Sequence, residues 1–242
     1  MNKQILIGIM GVMMLNACQV ENNEGTESFD YTVEQFADLQ LLRYKVPGFD
    51  ELSLQQKKLV YYLSEAALHG RDILFDQNGK YNLTIRKMLE TVYTDYSGNR
   101  SDADFVNLEI YLKRVWFSNG IHHHYAADKF VPGFSSEFFR KALQSVDVNK
   151  LPLSEGQTLD ELCDEVFPII FNPEVMSKRV NQSDGEDLVL TSASNYYRGV
   201  TQAEAEEFYN RMKNPNDSMP VMFGMNSRLV KENGVVQEKV WK

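Results

Sequence analysis

Cysteine is nearly absent from this sequence. Cys18 and Cys163 are the only two in 242 residues, which excludes a disulfide framework and any cysteine-built zinc ribbon. An excess of positive charge is also missing. Lys and Arg number 25 against 34 Asp and Glu, for a net charge of −9, and no basic stripe of the kind a nucleic-acid groove needs is present. There is no Gly-x-Ser-x-Gly elbow, no P-loop, no Gly-x-Gly-x-x-Gly turn and no His-Glu-x-x-His pair, so hydrolase and nucleotide readings gain nothing from motifs. Fixed-period repeats and low-complexity tracts are absent as well. The one long apolar run, Ile5 to Leu15, is too short to span a bilayer.

What is present describes a folded protein. Hydrophobic residues make up 43% and aromatics 12%, enough for a sizeable core. The apolar run follows Lys3 and ends in Leu15-Asn16-Ala17-Cys18, which resembles a bacterial lipoprotein box at the end of an export signal. That likeness implies lipidation at Cys18 and a place in the cell envelope, lipid-anchored on the periplasmic side or in the outer membrane. Residues 1–18 are therefore expected to be signal, 19–30 a polar tether, and 31–242 the folded part. Cys163 lies beside Leu159, Leu162 and Val166 at helical spacing and reads as a small buried hydrophobe.

Along the folded part, helical signals dominate the first two thirds. Thr32 is expected to cap a helix bearing Phe36, Leu39 and Leu42, stopped at Pro47-Gly48. Ser53 opens a second, with Leu59, Tyr62, Leu63 and Ala66 in register and Gly70 as its end; a loop with an Asn78-Gly79 turn follows. A third covers 84–96. Ser101 with Asp104 is a capping-box candidate for the next, whose inner face is Phe105, Leu108, Leu112 and Val115. Ser135 or Ser136 caps a helix with Phe138 and Phe139, and Thr158 with Glu161 caps one over 159–170. Asp160, Glu161, Asp164 and Glu165 read as a solvated face favoured by the helix dipole.

The last third changes character. Asp187 to Thr191 alternates like a strand, Asn195 to Gly199 reads as a turn whose tyrosines are candidates to line a cleft, and Thr201 with Glu204 caps a helix. Met212, Met219, Met222 and Met225 read as adaptable core. Asn233-Gly234 between two β-like runs is a strong hairpin signal. The fold class expected is α+β: mainly helical, then strands and a hairpin. The hairpin ends at Lys242 with nothing to cover it, and a lone hairpin is marginal in water, so a chain cut inside a domain is expected.

Val115 to Phe134, VWFSNGIHHHYAADKFVPGF, holds three of the four histidines in an irregular, aromatic-rich setting where binding chemistry often sits. Asn119, His122, His123, His124 and Tyr125 are the candidate substrate-binding residues. In an extended segment His122 and His124 would share a face. Two imidazoles without a third ligand or a second shell make a poor zinc site, so no metal ligand and no catalytic residue is assigned.

The run WFSNGIHHHYAADKFVPGF resembles a segment of form YSNxGNYxGFGDxKFVPxL in dipeptidyl peptidase III, the M49 zinc metallopeptidases, and most of all its Bacteroides-type branch. Asn195-Tyr196-Tyr197-Arg198-Gly199-Val200-Thr201 and the closing hairpin are similar to stretches that follow in that family. The likeness covers about residues 31–242. It implies a two-lobed zinc exopeptidase that removes dipeptides from the N-termini of short peptides. The family's His-Glu-x-x-Gly-His motif does not occur in this sequence, so the chain is expected to be the N-terminal portion, inactive alone and binding no zinc itself. The resemblance also implies that the segment matching Asn119 to Lys129 faces the substrate cleft, with histidines standing where other branches have Asn-Tyr and Gly-Phe. The alternative is a non-enzymatic envelope lipoprotein that binds peptide or a protein partner.

Overall fold

The computed structural model describes residues 29–219 and 222–241; the expected export signal, Cys18 and most of the expected tether lie outside them. The architecture is α+β, with small sheets. The chain divides into two compact units, 1–48 and 49–242.

The first unit overturns the helix expected after Thr32. It is an antiparallel hairpin of β1 (Thr32–Phe36) and β2 (Leu39–Leu42), closed by the Phe36–Leu39 pair across Ala37-Asp38. The i, i+3 spacing of Phe36, Leu39 and Leu42 is also compatible with a tight turn. The β-branched Thr32-Val33 pair and a left-handed Ala37 (φ 48°) decide for strands. Arg43 fastens the strand ends by donating Nε to the Asp30 carbonyl at 2.7 Å.

The second unit opens with α1 (Leu54–Asn78), capped by a Ser53/Gln56 capping box. Gly70 does not end it. A mid-helix glycine costs only about 1 kcal/mol relative to alanine, and no capping group accompanies it; the stop comes eight residues later at Asn78-Gly79. Up to Leu74 the helix has no buried residue, and only Phe75 and Gln77 enter the interior. α2 (Asn82–Asp95), α3 (Ala103–Ser118), α4 (Ser136–Gln144) and α5 (Leu159–Phe171) then pack around Ile85, Leu89, Leu108, Leu112, Phe139 and Val166. The expected inner face of α3, with Phe105, Leu108, Leu112 and Val115, is buried. Cys163 is buried in the same core.

Caps are mostly where the sequence puts them. Ser135 caps α4 and the Thr158/Glu161 box caps α5. At α3 the cap is Asp102 instead of Ser101, because Asp102 accepts from the Asp104 N–H while the Asp104 carboxylate takes the Ser135 N–H and hydroxyl at 3.2 and 3.0 Å. One carboxylate thereby ties the starts of two helices. In the acidic cluster, Asp160 and Asp164 both hold Arg140, at 2.8 and 2.9 Å.

Beyond α5 the expected strand at Asp187–Thr191 is a single turn of helix, α6 (Leu188–Thr191). Asp187 accepts from the N–H groups of Val189 and Leu190, a local bond that outweighs the β-propensity of LVLT. Tyr197–Arg198 form β3, parallel to β4 (Ser227–Glu232), which pairs with β5 (Val235–Val240) in the expected hairpin. Asn233 and Gly234, both with positive φ, make its tip. α7 (Gln202–Asn210), opened by the Thr201/Glu204 box, packs Ala205 against Val200 and Leu229 in a second small core. The methionines correct the sequence reading: Met212, Met219, Met222 and Met225 are exposed.

Candidate functional site

The 115–134 segment is held rigidly from several sides. α3 ends because Asn119 turns left-handed (φ 52°) and Gly120 returns its N–H to the Val115 carbonyl at 3.0 Å. Gly120 has φ 148°, and a β-carbon there would lie 2.3 Å from the Asn82 amide nitrogen. Asn82 is buried for a reason. Its Nδ2 donates to the Phe75 carbonyl at 3.1 Å and its Oδ1 accepts from the Ile121 N–H at 3.3 Å, so it joins the end of α1 to the loop.

From Ile121 the chain doubles back. His122 pairs with Lys129, and Asp128 with Lys178, in short antiparallel bridges. Lys129 explains why a lysine stands in DKFVP: its Nζ donates to the carbonyls of Ile169, Asn172 and Val175 around the end of α5, where a cation suits the helix dipole.

The three histidines separate. The turn at His124–Ala126 rotates the chain, so the alternation expected of an extended segment does not hold. His122 points inward, is 2% exposed, and sets Nε2 2.7 Å from the Met176 carbonyl. A carbonyl only accepts, so Nε2 carries the proton. Burial pushes this imidazole's pKa down to about 4, with the Lys129 and Arg179 charges adding to the effect and the Met176 bond opposing it.

His123 and His124 instead share a face, their rings stacked at 4.7 Å, with Tyr125 4.3 Å from His124 and the edge of Phe117 5.0 Å from it. His123 Nδ1 accepts from the N–H groups of Tyr125 and Ala126 at 3.2 and 3.0 Å, which leaves Nε2 as the ring's donor nitrogen. The His124 pKa is lowered by burial and then by the charges of His123 and Arg179. Tyr125 is 86% exposed. The result is a ledge of π-faces and imidazole nitrogens pinned on a rigid turn.

Ser118 Oγ and His124 Nδ1 are 3.5 Å apart, at the limit of a hydrogen bond, and Ser118 is buried; the contact orients the ring and does not prepare a nucleophile. The histidines do not fit a zinc either. His122 is committed to Met176, and among the described residues no group of three or more His, Cys, Asp or Glu converges. Asn119 stands apart from the ledge and lines a cavity of about 470 Å³ with Arg71, Phe75, Arg86, Glu90 and Trp116.

Sequence reasoning missed the residues behind the ledge. Arg179 donates to the His124 carbonyl at 3.0 Å and to Asn78 Oδ1 at 3.2 Å, and Asn78 donates to the Asn119 carbonyl at 3.1 Å. The neighbouring Asp76 and Gln77 hold Asn195, through its side-chain amide at 3.0 Å and its backbone N–H at 2.9 Å. Arg228 of β4 bonds Asp76 at 3.2 Å and the Asn195 carbonyl at 2.7 Å. The available signal was Asp76-Gln77-Asn78-Gly79, a polar run closing an amphipathic helix, read only as a turn. Tyr197 packs in the second core and lines a 210 Å³ cavity beside α7, whereas Tyr196 meets Trp241 edge-on.

No protein-family model matches the chain, and no curated protein matches it.

Proposed function

We propose that the chain is the N-terminal portion of a zinc-dependent dipeptidyl peptidase of the M49 type. In this reading it supplies a wall of the peptide cleft and carries no catalytic group of its own. The observation that supports this best is a convergence. The three segments that carry the resemblance (115–134, 195–201 and the β4–β5 hairpin) are distant in sequence, yet all are bonded to the last turn of α1 or to residues it holds. Asn78 takes the first through Asn119, Gln77 and Asp76 take the second through Asn195, and Asp76 takes the third through Arg228. Segments brought together this way could serve as one working surface, which is what the reading requires.

On that surface the ledge suits an extended peptide. Stacked imidazoles and a projecting tyrosine offer flat apolar area together with a donor at His123 Nε2, and rigid aromatic groups bind at low entropic cost. The zinc of the family belongs to a motif outside this sequence, and no chemical step is assigned to the residues described.

An assay with a dipeptidyl-arylamide and added zinc tests this directly. The 242-residue protein alone is expected to show no turnover, and chelator-sensitive turnover would contradict the proposal. The reading frame past Lys242 gives a second test: a following His-Glu-x-x-Gly-His supports the peptidase, while a stop without one favours a non-enzymatic envelope protein using the same ledge.

A further inference from the structure

The loop between α7 and β4 places thioethers in water. Met219, Met222 and Met225 recur at a fixed interval of three residues and are 83%, 77% and 63% exposed. Methionine is ordinarily core material, and at such exposure these side chains add almost nothing to packing. From Ser218 to Ser227 the sequence holds no Asp, Glu, His, Cys, Lys or Arg. The side-chain donor atoms of this run are therefore three neutral sulfurs, with Ser218, Asn226 and Ser227 at its ends.

Both ends of the loop are tied to Tyr209 on α7. Where the chain leaves the helix, the Met212 N–H donates to the Tyr209 carbonyl at 3.1 Å. Where it returns, the Phe223 ring stacks on the Tyr209 ring at 6.3 Å. Gly224, between Met222 and Met225, is left-handed (φ 77°), and a β-carbon there would lie 2.7 Å from the Tyr209 hydroxyl. The Met225 carbonyl lies 3.5 Å from the Gln77 side-chain amide, and the Met219 N–H donates to Asp217 Oδ1 at 2.9 Å. The backbone at or beside each of the three methionines is thus held, while their side chains stand in solvent.

We infer that Met219, Met222 and Met225 form a binding site for a soft monovalent cation, copper(I), held by their thioether sulfurs. Thioethers favour copper(I) among biological metals. Magnesium and calcium need oxygen ligands and zinc needs imidazole, thiolate or carboxylate, and the run supplies no charged or imidazole group for them. Successive methionines three residues apart are separated by about 11 Å at full extension and by less across the Gly224 turn. Two long, flexible side chains close that distance onto one ion. Binding exchanges solvent on the ion for sulfur and releases no proton, because a thioether carries none. The site does not rest on the peptidase reading, since it needs neither zinc nor the histidine ledge.

The test is an NMR titration of the full chain, its methionine methyls labelled and Cys18 changed to serine so that this thiol does not compete. Silver(I) nitrate in chloride-free buffer is the first probe, as it shares the charge and softness of copper(I); copper(I) buffered by bicinchoninate without oxygen is the second. The methyl signals of Met219, Met222 and Met225 should move together and saturate at one ion per chain, while those of Met88 and Met176, in or against the helical core, stay put. Met219→Leu/Met222→Leu/Met225→Leu should weaken binding about tenfold or more. All three positions are exposed, so its circular dichroism should match the parent's; Met222→Leu alone, with a smaller loss, is the second variant should the triple one perturb folding. Affinity read at these methyls should be equal at about pH 7.5 and about pH 5, whereas an imidazole site would weaken about tenfold or more over that range. Unmoved methyls at about 1 mM silver(I), undiminished affinity in a folded variant, the same shifts with zinc(II) nitrate, or a loss of that size at the lower pH would overturn the inference.

Discussion

His122 is the clearest case of a residue whose chemistry changes once its surroundings are known. In the sequence it is one of three equivalent imidazoles; in the fold it is an interior donor to the Met176 carbonyl, with Nδ1 buried and unpartnered among the described residues. Its pKa, lowered by burial from the ordinary 6.5 to about 4, makes a signed prediction. Above about pH 6.5 the ring is neutral in folded and unfolded chains alike. Between 6.5 and 4 the unfolded chain takes up a proton that the folded one refuses, so stability falls with pH by up to ~1.4 kcal/mol per unit from this group. Urea melts between pH 4 and 7 should show that slope, and His122→Gln, whose amide can still donate to Met176, should remove most of it. An unchanged slope would mean that His122 is not held neutral. No sequence pattern separates His122 from His123 and His124, because the turn that parts them is fixed by Lys129, Met176 and Arg179, none of which adjoins the triplet.

The elements that could be read from sequence were those specified by local bonds. Ser53/Gln56, Thr158/Glu161 and Thr201/Glu204 each close a reciprocal capping box, and Asn233-Gly234 closes its hairpin. Reading failed where a weak local signal was outweighed: Gly70 by the helix around it, the β-like LVLT by the Asp187 cap, and Phe36/Leu39 by a left-handed Ala37. The loop after α3 gives a sharp element-level prediction. Gly120→Ala combines a backbone angle that L-residues rarely adopt with a β-carbon 2.3 Å from Asn82 Nδ2, and should cost about 2–3 kcal/mol in denaturant melts; a loss under about 0.5 kcal/mol would contradict the packing. α1 predicts the opposite. Leu59 and Leu63 are about 60% exposed, so Leu59→Gln/Leu63→Gln should change the stability of the isolated chain by less than about 0.5 kcal/mol per site. A larger loss would mean that the first turns of α1 are covered.

For the molecule as a whole, the α+β class was legible, because helix periodicity and the hairpin signal occupy different stretches. The organising role of Asp76–Asn78 was not, since it consists of bonds to Asn119, Asn195 and Arg228, between 41 and 152 residues away. No helix among the described residues is long and apolar enough to cross a membrane, and the proposed membrane attachment rests on Cys18, outside those residues. Labelling with palmitate in a bacterial host tests it: Cys18→Ser should abolish incorporation, and undiminished label would contradict a lipid anchor. The central claim, a peptide-binding wall without its own catalyst, is tested most directly by one NMR titration of the 242-residue protein with a short peptide bearing a free amino end, zinc present. The account predicts that the His123 and His124 ring signals move while His122 stays put and the peptide remains intact. Unmoved His123 and His124 signals, or release of a dipeptide that a chelator stops, would contradict it.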